Sequence, residues 1–204
     1  MQKLSGRLAA ELIGTFALIY FGCGAVITRT IVSGQNNLLG VALVHAIVLG
    51  VMITATMNVS GGHLNPAVTL GLLSVGKIDT RAAGAYVGAQ LVGGTLGALV
   101  LKYTLPAGVV AVGSLGTPAL ANSVNLLGAI ELEAVLTFFL MSAVMGTAVS
   151  PDAPKVGGFA IGLVLFFDIM VGGSFTGAAM NPARAFGPAL VSGTWYAQPV
   201  WWVG

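Results

Sequence analysis

The sequence is poor in charge: eight Lys and Arg and six Asp and Glu make up 7% of 204 residues, against about 25% in an ordinary soluble domain. That shortage excludes a soluble globular enzyme, a nucleic-acid binder and a disordered tail, and a net charge of +2 is too small to attract an acidic partner. The single cysteine, Cys23, excludes an intramolecular disulfide framework and a multi-cysteine zinc site. There is no Walker A loop, no His-Glu-x-x-His helix, no nucleophile elbow and no metal-spaced cluster. The expectation is a protein without enzyme activity, without cofactor or metal, and without a nucleic-acid partner. What the chain has instead is 56% hydrophobic residues, thirty glycines and a mean hydropathy of +0.96. In so apolar a chain, glycine serves close helix packing in a bilayer. The class is an all-α integral membrane protein.

A membrane-spanning helix needs about 20 mostly apolar residues. Leu8 to Ile27 meets this, followed by a polar break from Arg29 to Asn37, and Leu39 to Met57 and Ala82 to Leu101 are the second and third spans. Thr104 to Asn125, rich in Gly, Pro, Ser and Asn, reads as a loop. Leu126 to Ala148 and Val156 to Gly172 follow, and a sixth span begins near Gln198 and is cut short at Gly204. Glu11 in the first run, and the lack of a small-residue cleavage site, argue against a cleaved signal. Lys3, Arg7, Lys77, Arg81 and Lys155 fall on one side and Arg29 and Lys102 on the other. The positive-inside rule then predicts a cytoplasmic N-terminus, in the plasma or inner membrane of the cell.

Two apolar stretches are too short to span. Pro66 to Val75 and Pro182 to Val191, as helices, rise roughly 15 Å, half of the hydrocarbon core. Each begins Asn-Pro, an N-cap followed by the residue that suits the first helical position, and Gly76 and Gly193 stand beyond their far ends as stops. They are copies: Ser60-Gly61-Gly62-His63-Leu64-Asn65-Pro66-Ala67 aligns with Thr176-Gly177-Ala178-Ala179-Met180-Asn181-Pro182-Ala183, and Glu11 with Thr15-Phe16 aligns with Glu133 and Thr137-Phe138. The expected domain is one channel-like unit, 1–204, made of repeat one (about 1–103), a loop (104–124) and repeat two (about 125–204). Each repeat has two spans, a re-entrant half-helix and a third span. Three spans is odd, so the repeats are inverted, and the interrupted segments meet near the midplane. Two helix N-termini there carry about half a positive charge each and oppose cations. Asn65 and Asn181 would hold water by its oxygen, and the carbonyls of Gly61, Gly62, His63, Gly177, Ala178 and Ala179 would line a wet path.

Asn65-Pro66-Ala67 and Asn181-Pro182-Ala183-Arg184, with Ser60-Gly-Gly-His63-Leu and Ala185-Phe186-Gly187-Pro188-Ala189, resemble the aquaporin (major intrinsic protein) family from Glu11 to the final Trp201-Trp202-Val203-Gly204. The resemblance implies a six-span bundle, usually a homotetramer with one pore per subunit. Its sixth span is complete, which implies that a functional protein continues beyond Gly204. It also implies a four-residue selectivity filter, placed by spacing at His45, Ile169, Ala178 and Arg184. That set is most similar to plant tonoplast intrinsic proteins, many of which pass ammonia, urea or hydrogen peroxide besides water. Ala185 and Ala189 stand where glycerol facilitators carry Asp and a basic residue, which makes dedicated glycerol transport the weaker reading. The function expected is therefore a passive channel for water and small neutral solutes that excludes protons and ions. A strict water channel, or a proton-coupled transporter using Glu11 and Glu133, are the alternatives.

From its own helix alone, His45 reads as a hydrogen-bonded core histidine, and only its spacing to Asn65 moves it to the filter; Arg184 reads also as half of an ion pair, although a membrane arginine usually faces a cavity. Glu11 and Glu133 read as braces that accept from the looped backbone. His63 is expected to brace its loop by its ring, and Gln90 to brace a half-helix. Glu131 is expected to be solvated, and Asp168 to line the outer vestibule or to bond the long loop. Gly84 with Gly88, and Gly93 with Gly97, form small-xxx-small pairs. Asn58-Val59-Ser60 matches a glycosylation acceptor but lies on the cytoplasmic side, and Cys23 reads as inert packing.

Overall fold

The computed structural model describes residues 3–31 and 37–204, and the described part is helical with no strand. The chain runs α1 (Leu4–Ile31), α2 (Leu38–Thr56), α3 (Pro66–Ser74), α4 (Thr80–Thr104), α5 (Ala107–Val112), α6 (Leu126–Val144), α7 (Phe159–Gly172), α8 (Pro182–Ser192) and α9 (Val200–Val203). Among the described residues, four segments are long and apolar enough to cross a bilayer: Leu4–Arg29, Leu38–Thr56, Thr80–Thr104 and Leu126–Val149. The last of these runs on from α6 through a π-helical turn, Met145–Val149. The fifth predicted span is shorter than expected, beginning at Phe159 after the Pro154 break. The polar break expected from Arg29 to Asn37 falls largely on residues 32–36, outside the described residues. The segment read as a loop, Thr104 to Asn125, contains α5 and a 3₁₀ turn at Ser114–Gly116. Loop-forming residues flank a short run of Ala and Val there, and once Pro106 has set the entry angle that run closes a turn and a half of helix.

Side-chain amide and carboxylate oxygens start the helices. Asn37, Asp79 and Asn125 accept from the backbone N–H three residues on, at 3.2, 2.9 and 2.8 Å, satisfying donors that a helix start leaves free. The far end of α3 is a Schellman turn: Lys77 N donates to Leu72 O at 2.9 Å and Gly76 N to Leu73 O at 3.0 Å. Gly76 adopts φ 69°, the left-handed conformation this turn requires. Gly193 closes α8 with φ 79°.

Polarity is inside out. Phe21, Ile47, Val51, Phe138 and Val171 are each more than half exposed, while Glu11, Thr15, Gln90 and Glu133 are wholly buried. An apolar exterior of that extent suits lipid rather than water. Packing runs α1 on α4 and α2, α2 on α7, α4 on α8, and α6 on α7. Glycine permits the closest approaches. A Cβ on Gly97 would lie 2.6 Å from the Phe16 carbonyl oxygen, one on Gly93 would strike that of Leu12, and one on Gly187 would lie 2.5 Å from the backbone of Gly94. The Gly93/Gly97 pair thus packs α4 on α1, whereas Gly84 and Gly88 face open space.

Gly97→Val is expected to cost about 1–3 kcal/mol by overpacking, seen as a lower unfolding midpoint on heating in detergent. Gly6→Val, with nothing within 4 Å of the new carbon, should leave the midpoint unchanged; equal losses would contradict the packing account.

Candidate functional site

The two short helices are held by matching networks. Glu11 accepts from Ser60 Oγ at 2.6 Å, His63 N at 3.0 Å, Leu64 N at 2.6 Å and Gln90 Nε2 at 2.8 Å. Glu133 accepts from Thr176 Oγ1 at 2.5 Å, Ala179 N at 3.1 Å and Met180 N at 2.8 Å. The segments they hold are twisted alike: Gly61, Gly62 and Leu64 have positive φ, as do Gly177, Ala178 and Met180. For residues with a Cβ, a left-handed backbone costs about 1–2 kcal/mol each, offset here by charge-assisted hydrogen bonds to a carboxylate. Each segment also has an aromatic donor behind it. Tyr86 Oη donates to Ser60 O at 2.7 Å, and Trp201 Nε1 donates to Thr176 O at 3.1 Å. Arg7 Nε donates to Tyr86 Oη at 2.7 Å. His63 Nδ1 lies 3.1 Å from Thr69 Oγ1, and its ring packs edge-on against Tyr86.

Asn65 and Asn181 cap α3 and α8 and tie each loop to the other. Asn65 Oδ1 accepts from Ala67 N at 2.8 Å, and Asn181 Oδ1 from Ala183 N at 3.0 Å and Arg184 N at 3.2 Å. Asn65 Nδ2 donates to Met180 O at 2.8 Å, and Asn181 Nδ2 donates to Leu64 O at 3.0 Å. A primary amide has two N–H donors, so each Asn keeps one to spare. Pro66 and Pro182 take the first helical position, with Ala67 and Ala183 beside them.

Three cavities follow one another past these residues. A first vestibule of about 250 Å³ is lined by Gly61, Gly62, His63, Asn65 and Lys77, with aliphatic side chains from α2, α6 and α7. A neck of about 20 Å³, room for roughly one water, is bounded by His45, Asn65, Ala178, Ala179, Asn181 and Arg184. A second vestibule of about 260 Å³ is lined by His45, Ile169, Gly177, Arg184 and Arg29, with residues 116–119 forming part of its wall. Asn65 is shared by the first two, and His45 and Arg184 by the last two. The four positions placed by spacing, His45, Ile169, Ala178 and Arg184, are thus brought together at the neck and its mouth. The charged side chains lining the three cavities, Lys77, Arg29 and Arg184, are all basic.

Arg184 is buried and its Nη1 has no hydrogen-bond partner. His45 Nδ1 lies 2.8 Å from Val41 O; a carbonyl only accepts, so Nδ1 carries the proton, and in the neutral ring Nε2 is an acceptor. The ring rests against α1 at Gly22, a residue no sequence pattern marks: a Cβ there would lie 2.5 Å from Nε2. Asp168 takes neither role expected of it. It is buried, lines none of the three cavities, and its Oδ2 has no partner. Glu131 is exposed, and Cys23, wholly buried, points its Sγ at Gly116 O, 3.7 Å away. No metal-binding group of His, Cys, Asp or Glu occurs among the described residues.

Apolar helices around a buried polar file define an all-α, multi-span membrane protein of channel type. The major intrinsic protein family model matches residues 1–204, and the chain belongs to that family, the aquaporins, whose members are passive channels for water and small solutes and not enzymes. Aquaporin TIP4-4 of Zea mays is 45% identical over 205 residues, which cover 96% of this chain and 79% of the relative. Probable aquaporin TIP3-2 of Arabidopsis thaliana is 39% identical over 208 residues, 96% of this chain and 76% of the relative. In fold, the chain matches the X-ray structure of the aquaglyceroporin from Plasmodium falciparum with a TM-score of 0.84, at 24% identity, over 98% of this chain and 89% of that one. At that identity the likeness is one of fold alone. The plasma- or inner-membrane location expected from the sequence is overturned: these relatives are TIP-type proteins of the tonoplast, the vacuolar membrane. Loop lysines and arginines orient a chain in a bilayer but do not distinguish one bilayer from another.

Glu133→Ala would leave the Ala179 and Met180 N–H groups and the Thr176 hydroxyl without an acceptor, at a cost of about 3 kcal/mol or more. Glu133→Gln keeps one acceptor oxygen and should cost less. Unfolding by heat in detergent separates the two; equal midpoints would refute the bracing role.

Proposed function

We propose that this chain is a passive channel for water that also passes ammonia and other small neutral solutes such as urea and hydrogen peroxide, while excluding protons and ions. The observation that carries this reading is the one-water neck where the unpartnered Arg184 Nη1 and the His45 ring share a wall. A solute there accepts from Arg184 through its lone pair and donates to His45 Nε2 or to a loop carbonyl. Water and ammonia have both capacities. Ile169 and Ala178 complete the filter, and the small Ala178 leaves it wider than an aromatic ring would.

Proton exclusion rests on Asn65 and Asn181. Each turns its spare N–H to the path, so a passing water accepts from both and points its hydrogens outward, breaking the chain a proton would follow. The positive ends of α3 and α8 and the basic lining of the vestibules add a barrier to cations. In this reading, repeat one (about 1–103) and repeat two (about 125–204), joined by 104–124, enter the membrane in opposite orientations, α3 and α8 are re-entrant, and six spans complete the bundle. Gly84 and Gly88, which meet nothing within one chain, suit packing between subunits of a homotetramer. The proton-coupled alternative is disfavoured because Glu11 and Glu133 line none of the three cavities and hold loop backbone instead.

Stopped-flow light scattering on proteoliposomes tests this by comparing an osmotic water step with entry of ammonia. Both should be fast, and His45→Phe should cut ammonia flux roughly tenfold or more, a barrier change of about 1.4 kcal/mol, with water less affected. Arg184→Ala should let cations leak. Fast water without ammonia would make the protein a strict water channel, and no flux above empty liposomes would refute the channel. Mercuric chloride should leave water flux unchanged, because Cys23 lines none of the three cavities; inhibition lost in Cys23→Ser would show the thiol to be accessible.

A further inference from the structure

The filter residues named so far come from α2, α7, the second loop and α8, yet the His45 ring also lies against α1. A Cβ built on Gly22 would lie 2.5 Å from His45 Nε2, 2.8 Å from Cδ2 and 3.0 Å from Cε1. We infer that Gly22 is a positioning residue for the filter: it leaves a recess in α1 into which the His45 imidazole withdraws, and the depth of that recess sets the bore of the neck. The inference rests on the channel reading above and deepens it.

The repeat shows what the same layer looks like without a recess. Gly22 lies eleven residues after Glu11, and Val144 eleven after Glu133; His45 lies twenty before Asn65, and Ile161 twenty before Asn181. In the second repeat the layer is therefore Val144 with Ile161, both buried and both lining the first vestibule. In the first repeat the aliphatic pair is replaced by a polar ring facing a residue with no side chain. Bulk is removed from α1 where it is added on α2.

The consequence of restoring a Cβ follows from the contacts. Ordinary non-bonded separations are about 3.5–4.0 Å, so the ring must retreat by about 1 Å. Its Nδ1 is anchored to Val41 O, which makes the imidazole pivot rather than translate. Away from α1 the ring borders the neck, about 20 Å³ between His45, Ala178 and Arg184, and the second vestibule beyond it. The ring is the movable end of a side chain, so the cost falls on the bore and not on the helix packing. Solutes larger than water are lost first.

The test uses full-length protein in liposomes, reading water, ammonia and urea entry by stopped flow for wild type, Gly22→Ala, His45→Ala and the double variant. Gly24→Ala, whose added carbon meets only Leu101 Cδ1 at 3.6 Å, is the control for a Cβ on α1. Gly22→Ala is expected to lower urea and ammonia entry roughly tenfold, a barrier rise of about 1.4 kcal/mol, with a smaller loss of water flux. In the His45→Ala background the same substitution should change none of the three, and Gly24→Ala should match wild type. An unchanged solute-to-water ratio in Gly22→Ala, or an equal loss with and without His45, overturns the positioning role while leaving the channel intact. Absence of flux in wild type overturns the channel reading and this inference with it.

Discussion

Irregular backbone at membrane depth holds its shape only if its N–H groups find acceptors within the protein, and in this chain Glu11 and Glu133 are those acceptors. Each collects two backbone N–H groups and a hydroxyl from the segment ahead of an Asn-Pro-Ala box. Those bonds keep Leu64, Ala178 and Met180 in a left-handed conformation they would otherwise leave. With their amides bound to the carboxylates, the carbonyls of these segments are the polar groups left for the path, as the proposed function requires. Remove the carboxylates and the neck has neither its shape nor its lining, whatever the filter residues are.

The two loops also depend on one another. Asn65 donates to Met180 O and Asn181 to Leu64 O, so the cap of each short helix is positioned by the partner loop. The polar file is in this sense a property of the two loops together. Its electrostatics are one-sided: basic side chains in both vestibules, two helix N-termini at the centre, and the acidic residues withdrawn behind the loops. In the proposed reading, this one-sided charge is what opposes a cation and leaves a neutral solute unhindered.

Much of this was legible in the sequence because its signals are local. Asn before Pro before Ala is a helix start wherever it occurs, and a ten-residue apolar run is too short to span regardless of context. The duplicated Glu, at the same place in each repeat, marked the braces. Other features were not local. Gly22 matters because of where His45 lies across the α1–α2 contact, and no pattern in either helix records that meeting. Trp201 was matched only as part of an aromatic pair, and its indole bond to Thr176 O is the second repeat's answer to the Tyr86 bond in the first. The α5 helix was hidden by the glycines and prolines around it. The membrane in which the protein resides is an address read by other machinery, and charge counting does not spell it.

The order in which these braces occur along the chain has a consequence for biosynthesis. Glu11, Ser60, Tyr86 and Gln90 all lie in the first ninety residues, so the first loop has its own supports as soon as that part has entered the membrane. The cross-bond from Asn65 awaits Met180, and the second loop awaits the indole of Trp201. Chains generally fold from the N-terminal end as they are made. The narrowest part of the path is therefore assembled last, and a nascent chain halted after α6 holds half of a lining with nothing to close it.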